Sequence, residues 1–199
     1  MARNDRRRTN LLLTYSLVCA VSLMCVRPAR VSATSYPAVT FSDLLTKADM
    51  IFVGDVLDVR PFAVESREGT IIMTRVTFVV RDSLLGTSST LEILEFMGGE
   101  LGDIGQKVAE MPTFKPGDRR VVFAKRERSI NPIVGFTQGL MKITQDDAGL
   151  DVIMTSTGEP LARTEDIGRP RGAGVRESRP MALSSFRARI VDGLRERRR

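Results

Sequence analysis

The most regular alternation of apolar and polar positions in the chain spans residues 70–83. Ile72, Thr74, Val76, Phe78 and Val80 fall on one side, and Met73, Arg75, Thr77, Val79 and Arg81 on the other. A period of two marks a half-buried strand, and Leu84-Leu85-Gly86 closes it. Residues 50–59 predict a preceding strand that Pro61 ends. Its alternation becomes irregular at Gly54, where a bulge or sharp bend is expected. Residues 91–96 and 119–124 predict two more strands. Residues 139–144 and 150–155 predict a hairpin around Asp146-Asp147-Ala148-Gly149.

Two segments carry helical spacing instead. Residues 40–49 predict a short helix, with Ser42 as its cap, Asp43 at the positive end of its dipole and Leu44, Leu45 and Ala48 as its apolar side. Residues 183–197 place Phe186, Ile190, Val191 and Leu194 on one face among arginines. Gly193 weakens that helix by about 1 kcal/mol relative to Ala. Short strands at regular spacing, punctuated by Gly and Pro and without a βαβ rhythm, predict a mainly β fold. The specific expectation is a small antiparallel OB-like β-barrel with a short N-terminal helix and a C-terminal helix.

The N-terminal pattern changes what is counted as the protein. Arg3, Arg6, Arg7 and Arg8 precede an apolar run from Leu11 to Val26, and Val31-Ser32-Ala33 gives a small-x-small site. Residues 1–33 thus read as a signal peptide cleaved between Ala33 and Thr34, which implies a secreted or periplasmic (cell-envelope) protein. Cleavage after Ala20 and retention as an anchor stay open. The apolar run is short for a membrane span, so none is expected after cleavage. Both cysteines, Cys19 and Cys25, lie in the leader, so no disulfide or thiol chemistry is expected beyond it. The formal net charge of +6 also derives mostly from the leader. What remains is an acidic body, residues 34–162, and an arginine-only basic tail. Gly and Pro mark residues 163–182 as a flexible linker, and residues 183–199 form the basic amphipathic tail. The favoured reading packs this helix on the body; the alternative is an arm for acidic partners or anionic surfaces, ending in Arg197-Arg198-Arg199.

The chain contains no histidine, which removes the commonest general base and metal ligand. Gly98-Gly99-Glu100-Leu101-Gly102-Asp103-Ile104-Gly105 has the spacing GGxxGxxG, which is neither a dinucleotide fingerprint nor a phosphate loop. It predicts a wide turn or flap that needs positive φ angles. Asp146, Asp147 and Asp151 lack the spacing of a calcium loop, and local turn chemistry accounts for them. Asp55 and Asp58, three apart on a strand, point to opposite faces unless Gly54 shifts the register. No Ser-x-x-Lys occurs. Phe96, Phe114, Phe123 and Phe136 show no alternation with basic residues and read as core, so no nucleic-acid partner is expected. No cofactor, metal site or catalytic residue is expected.

Ala48-Asp49 to Gly54-Asp55-Val56, Thr74 to Leu85-Gly86, Gly98-Gly99, Pro112-Thr113-Phe114 with Gly117-Asp118, and Gly135-Phe136 to Ile143 occur in an order that resembles a set of uncharacterised secreted bacterial proteins with an OB-like barrel. More distantly the order is similar to the netrin-like module, including tissue inhibitors of metalloproteinases. The resemblance implies a fold, an extracytoplasmic setting and protein binding. It does not carry over the inhibitors' zinc-directed N-terminal cysteine, because the new N-terminus here is Thr34.

The candidate interface or structural-loop residues are therefore Gly98, Gly99, Gly102, Gly105, Pro112, Phe114 and Gly117. Phe114, stiffened between two prolines, is expected to plug one barrel end or to serve as an aromatic anchor. The leading expectation is a secreted, non-catalytic, monomeric module that binds a protein, such as a secreted protease or an envelope component. The alternatives are a carboxylate-based or cation-dependent hydrolase using Asp55, Asp58 or Asp103, and an anionic-surface binder acting through the tail.

Overall fold

A computed structural model describes residues 37–67, 69–87, 89–127, 129–169 and 179–199. The signal-peptide expectation, with Ala33 and Thr34, lies outside the described residues. The described chain is mainly antiparallel β. Its strands are β1 (Met50–Ser66), β2 (Gly69–Leu85), β3 (Leu91–Met97), β4 (Gly99–Leu101), β5 (Ile104–Gln106), β6 (Arg119–Ala124), β7 (Leu140–Gln145) and β8 (Asp151–Met154). Helix α1 (Phe41–Lys47) precedes them and α2 (Leu183–Arg197) follows. Six strands form one sheet in the order β3-β2-β1-β6-β7-β8, while β4 and β5 form a separate ribbon. The main ladder is open: its order ends at β3 and β8, and no pairing joins those two among the described residues. The expected barrel closure is thus absent from the hydrogen-bond pattern, although the antiparallel architecture and both helices are present.

The sheet is buried on both faces at its centre. Val121 and Phe123 of β6 join Ile51 and Val53 of β1 in one apolar cluster, whereas Val122 and Ala124 join Met50, Phe52 and Val56 in the other. This explains the unbroken apolar run of β6, since a strand covered on both sides gains nothing from alternation. The first cluster is roofed by both helices, through Leu44 and Leu45 of α1 and Phe186, Ile190 and Leu194 of α2. The second is completed by Val76 and Phe78 of β2 and Leu94 and Phe96 of β3. The predicted alternation of β2 is realised, with Ile72, Val76 and Phe78 buried and Arg75 and Arg81 exposed.

Two local expectations are corrected. The cap of α1 is Thr40, not Ser42: the Asp43 amide donates to Thr40 Oγ1 at 3.1 Å, and the Thr40 amide donates back to Asp43 Oδ2 at 3.0 Å. This reciprocal pair satisfies two free amides at once, which Ser42, already inside the helix, cannot do. Pro61 does not end β1, which continues to Ser66 with Pro61 opposite Thr74. On its other side β1 pairs with β6 only from Met50 to Asp55. Pro61 therefore lies where β1 has a single ladder neighbour, a position that tolerates a missing N–H. The expected irregularity at Gly54 is present, as one of three register shifts along the β1–β2 pair.

The C-terminal helix belongs to the same core as the sheet. Phe186 lies 5.9 Å from Phe41 and 6.3 Å from Phe123, ring centre to ring centre. Arg187 Nε donates to Asp82 Oδ2 at 2.5 Å, and Arg197 Nη1 to the Leu45 carbonyl at 2.7 Å. Gly193 is needed for close approach, because a Cβ there would stand 2.4 Å from Leu45 Cδ1. The segment read as a linker contributes Thr164 and Ile167 to the buried residues, and Met181 exchanges backbone hydrogen bonds with Leu161 and Ile153. Among the described residues no helix is long and apolar enough to cross a membrane.

Replacing Ile190, which is fully buried, by Ala removes a large core side chain and is expected to cost about 3 kcal/mol. The denaturant midpoint measures this. A basic arm hanging free of the body would instead leave the midpoint unchanged.

Candidate functional site

The glycine-rich segment folds into a tight ribbon rather than a wide turn. Leu101 of β4 faces Ile104 of β5, and Gly102 turns the chain at φ +60°. The root of the ribbon is fixed to the sheet where β3 ends. Thr74 Oγ1 donates to the Gly98 carbonyl at 2.6 Å, and the Gly98 amide donates to the Ile72 carbonyl at 2.7 Å. The Ile72 amide, at the position where β3 no longer reaches, donates to Gln106 Oε1 at 2.8 Å. One side-chain amide thus continues the ladder for one more step. Gly99 is required at this root: its φ is +136°, and a Cβ would stand 2.4 Å from Thr74 Oγ1.

Between this ribbon and the sheet lies an open cleft of about 750 Å³. Gly98, Gly99, Gly105, Pro112 and Phe114 all border it, with apolar contributions from Val59, Phe96, Met97, Val108 and Met111. Five of the seven residues singled out in the sequence are thereby brought together. The other two are elsewhere: Gly102 is at the ribbon's turn, and Gly117, at φ +88°, donates its amide to the Val56 carbonyl at 2.8 Å as the chain enters β6.

Phe114 forms the floor of this cleft. Its ring lies 4.9 Å from that of Phe96 and 5.7 Å from that of Phe78, the latter nearly perpendicular. The Arg120 guanidinium stands 5.9 Å from the same ring centre. One half-buried side chain thus touches β2, β3 and β6, spanning a face that the open sheet leaves uncovered.

The carboxylates do not converge. Asp55 accepts from Arg81 Nε at 2.7 Å, and Asp58 pairs with Arg60 at 2.6 Å. Asp103 is exposed at the ribbon turn. Asp146 accepts from the amides of Ala148 and Leu150 at 3.0 and 2.9 Å, closing its own hairpin loop. These contacts, the Leu150 amide foremost, hold its carboxyl below the usual range. Asp151 takes a two-pronged contact from Arg119, at 2.6 and 2.7 Å. Among the described residues no three acidic or thiol groups gather as metal ligands do.

Sequence reasoning missed the residues that the ribbon exposes. Leu101 is 37% and Ile104 62% exposed. The pattern Leu-Gly-Asp-Ile, two apolar residues around a turn pair, is a short hairpin signal that could have revealed them. Compared with family models, curated proteins and solved structures, the chain matches none.

Asp151 gives a pH test. Hydrogen bonding from Arg119, opposed by desolvation, holds its carboxyl below the ordinary value. A carboxyl depressed in the folded state stabilises fully above its unfolded value, near 4, and loses that contribution as pH falls through the folded value. Asp151→Asn is expected to lower the urea midpoint at pH 7 and to flatten its decline below about pH 4. Parallel pH profiles for the variant and the parent would exclude this role.

Proposed function

We propose that the chain is an extracytoplasmic, non-catalytic protein-binding module, and that its partner seats on the ribbon and the apolar cleft beside it. The observation that carries this reading is the Leu101–Ile104 pair, held out from the body on a root tied by three hydrogen bonds. An apolar pair on a rigid support loses little entropy on binding, and each such side chain contributes about 1.5–3 kcal/mol when fully covered. The adjoining cleft offers aromatic and thioether surface, which suits apolar anchors from a partner. The setting rests on the leader and on the resemblance to secreted OB-like and netrin-like proteins. A secreted protease or an envelope component is the class of partner that setting provides. Inhibition by a zinc-directed N-terminus is not part of the proposal, because Thr34 offers no thiol. The hydrolase alternative is not favoured, because Asp55 and Asp58 are engaged with separate arginines and Asp103 stands apart from both. The tail alternative is weakened in the same way, since Arg187 and Arg197 are spent on contacts to the body.

The test compares the parent with a Leu101→Asp, Ile104→Asp double variant, both immobilised and exposed to culture supernatant and solubilised envelope of the source cells. Circular dichroism checks that both are folded. The parent is expected to retain a protein that the variant binds at least about tenfold more weakly. Nothing retained above background, or equal retention by both, refutes the reading.

A further inference from the structure

On the other side of Met111, Pro112 and Thr113 lies a second cleft, of about 590 Å³. Its floor contains Arg120 of β6 and Lys142 of β7, which stand directly opposite one another across the antiparallel ladder. Like charges in that relation destabilise a sheet. Both lie on the face that carries Val122 and Leu140, so both cations project from an otherwise apolar surface. Arg120 is only 5% exposed. It donates from Nη2 to Asp118 Oδ2 at 2.6 Å, while its Nε is buried without an acceptor. Lys142 forms no ion pair among the described residues. Arg119, at the margin of the same cleft, differs because Asp151 already occupies its fork. One acid therefore serves two inward cations, and the remaining charges that line the cleft, Glu110 and Lys115, are of opposite sign, which leaves one positive charge in excess.

The geometry points to a binding site for a single carboxylate in this cleft, held between Lys142 and Arg120. One surplus positive charge matches a monoanion, whereas a phosphate carries nearly two. A planar guanidinium with an unmet N–H suits a carboxylate. Met111, Pro112 and Leu140 supply apolar wall for the carbon chain behind the carboxylate, and Thr144, Ser156 and Thr157 supply hydroxyls at the margin. A free organic acid and the C-terminus of a bound protein present the same group. The site uses neither Leu101 nor Ile104, so it stands or falls apart from the reading of the ribbon.

The test is a titration of the isotope-labelled full chain followed by amide NMR, with acetate, N-acetylleucine, N-acetylleucinamide and inorganic phosphate as probes. N-acetylleucine is expected to shift the amides of Arg120, Lys142 and Thr144 saturably, and N-acetylleucinamide to leave them in place. Acetate binding as tightly as N-acetylleucine identifies a small free acid as sufficient; weaker acetate binding identifies a carboxylate borne on a larger chain. Lys142→Met is expected to weaken binding about tenfold and, with the repulsion removed, to raise the thermal midpoint of the unliganded protein. Lys142→Arg is expected to keep the affinity. The assignment is overturned if no probe shifts these amides, if the amide binds as well as the acid, if phosphate binds more tightly than either carboxylate, or if Lys142→Met binds like the parent.

Discussion

The central strands β1 and β6 bury side chains on both faces, and this double burial sets the rest of the architecture. A sheet that is apolar on both sides needs two covers. One is helical: α1 and α2 lie over Ile51, Val53, Val121 and Phe123. The other is built from the sheet itself, through Phe78, Leu94 and Phe96. Register shifts along β1 add local twist and bend where that second cover forms. Phe114 then fills the space that an open ladder leaves between β3 and β6. Both covers contain aromatics contributed from outside the sheet that bridge otherwise separate elements, Phe186 with Phe41 on one face and Phe114 on the other.

The two ends of the sheet are managed differently. At β8, Ile153 accepts from the Leu161 amide and donates to the Met181 carbonyl, so the chain before and after residues 163–180 screens the edge. At β3, the Met97 amide reaches the Ile130 carbonyl, while Leu91 and Ile93 remain exposed. The ribbon and the segment from Met111 to Phe114 continue from that less covered side. Met111, Pro112 and Thr113 border both clefts, so one short segment separates an apolar concavity from a cationic one.

Much of this was legible from local patterning. The limits of β6 and α2 follow from an apolar run and from helical spacing, because both are decided by residues near in sequence. Gly54 showed its irregularity for the same reason. Pro61 misled because its cost depends on a neighbour: only the early end of β6 reveals that no ladder bond is lost there. Ser42 misled because Thr40, two positions earlier, has Asp43 three residues on, a capping box visible in the sequence. Barrel closure could not be read, since strand order rather than strand content decides it. In the site, the glycines and Phe114 stood out by composition, whereas the meeting of Arg120 with Lys142 depends on a register between segments about twenty residues apart, to which no local motif points.

Native-state hydrogen exchange tests the central claim most directly. If both covers are parts of one core, the amides of Val121, Val122 and Phe123 and those of Ile190 and Leu194 will exchange only through the same global opening, with the same denaturant dependence. Exchange of the α2 amides through a much smaller local opening, while β6 keeps full protection, would contradict the account and make the C-terminal helix an accessory to a sheet that folds without it.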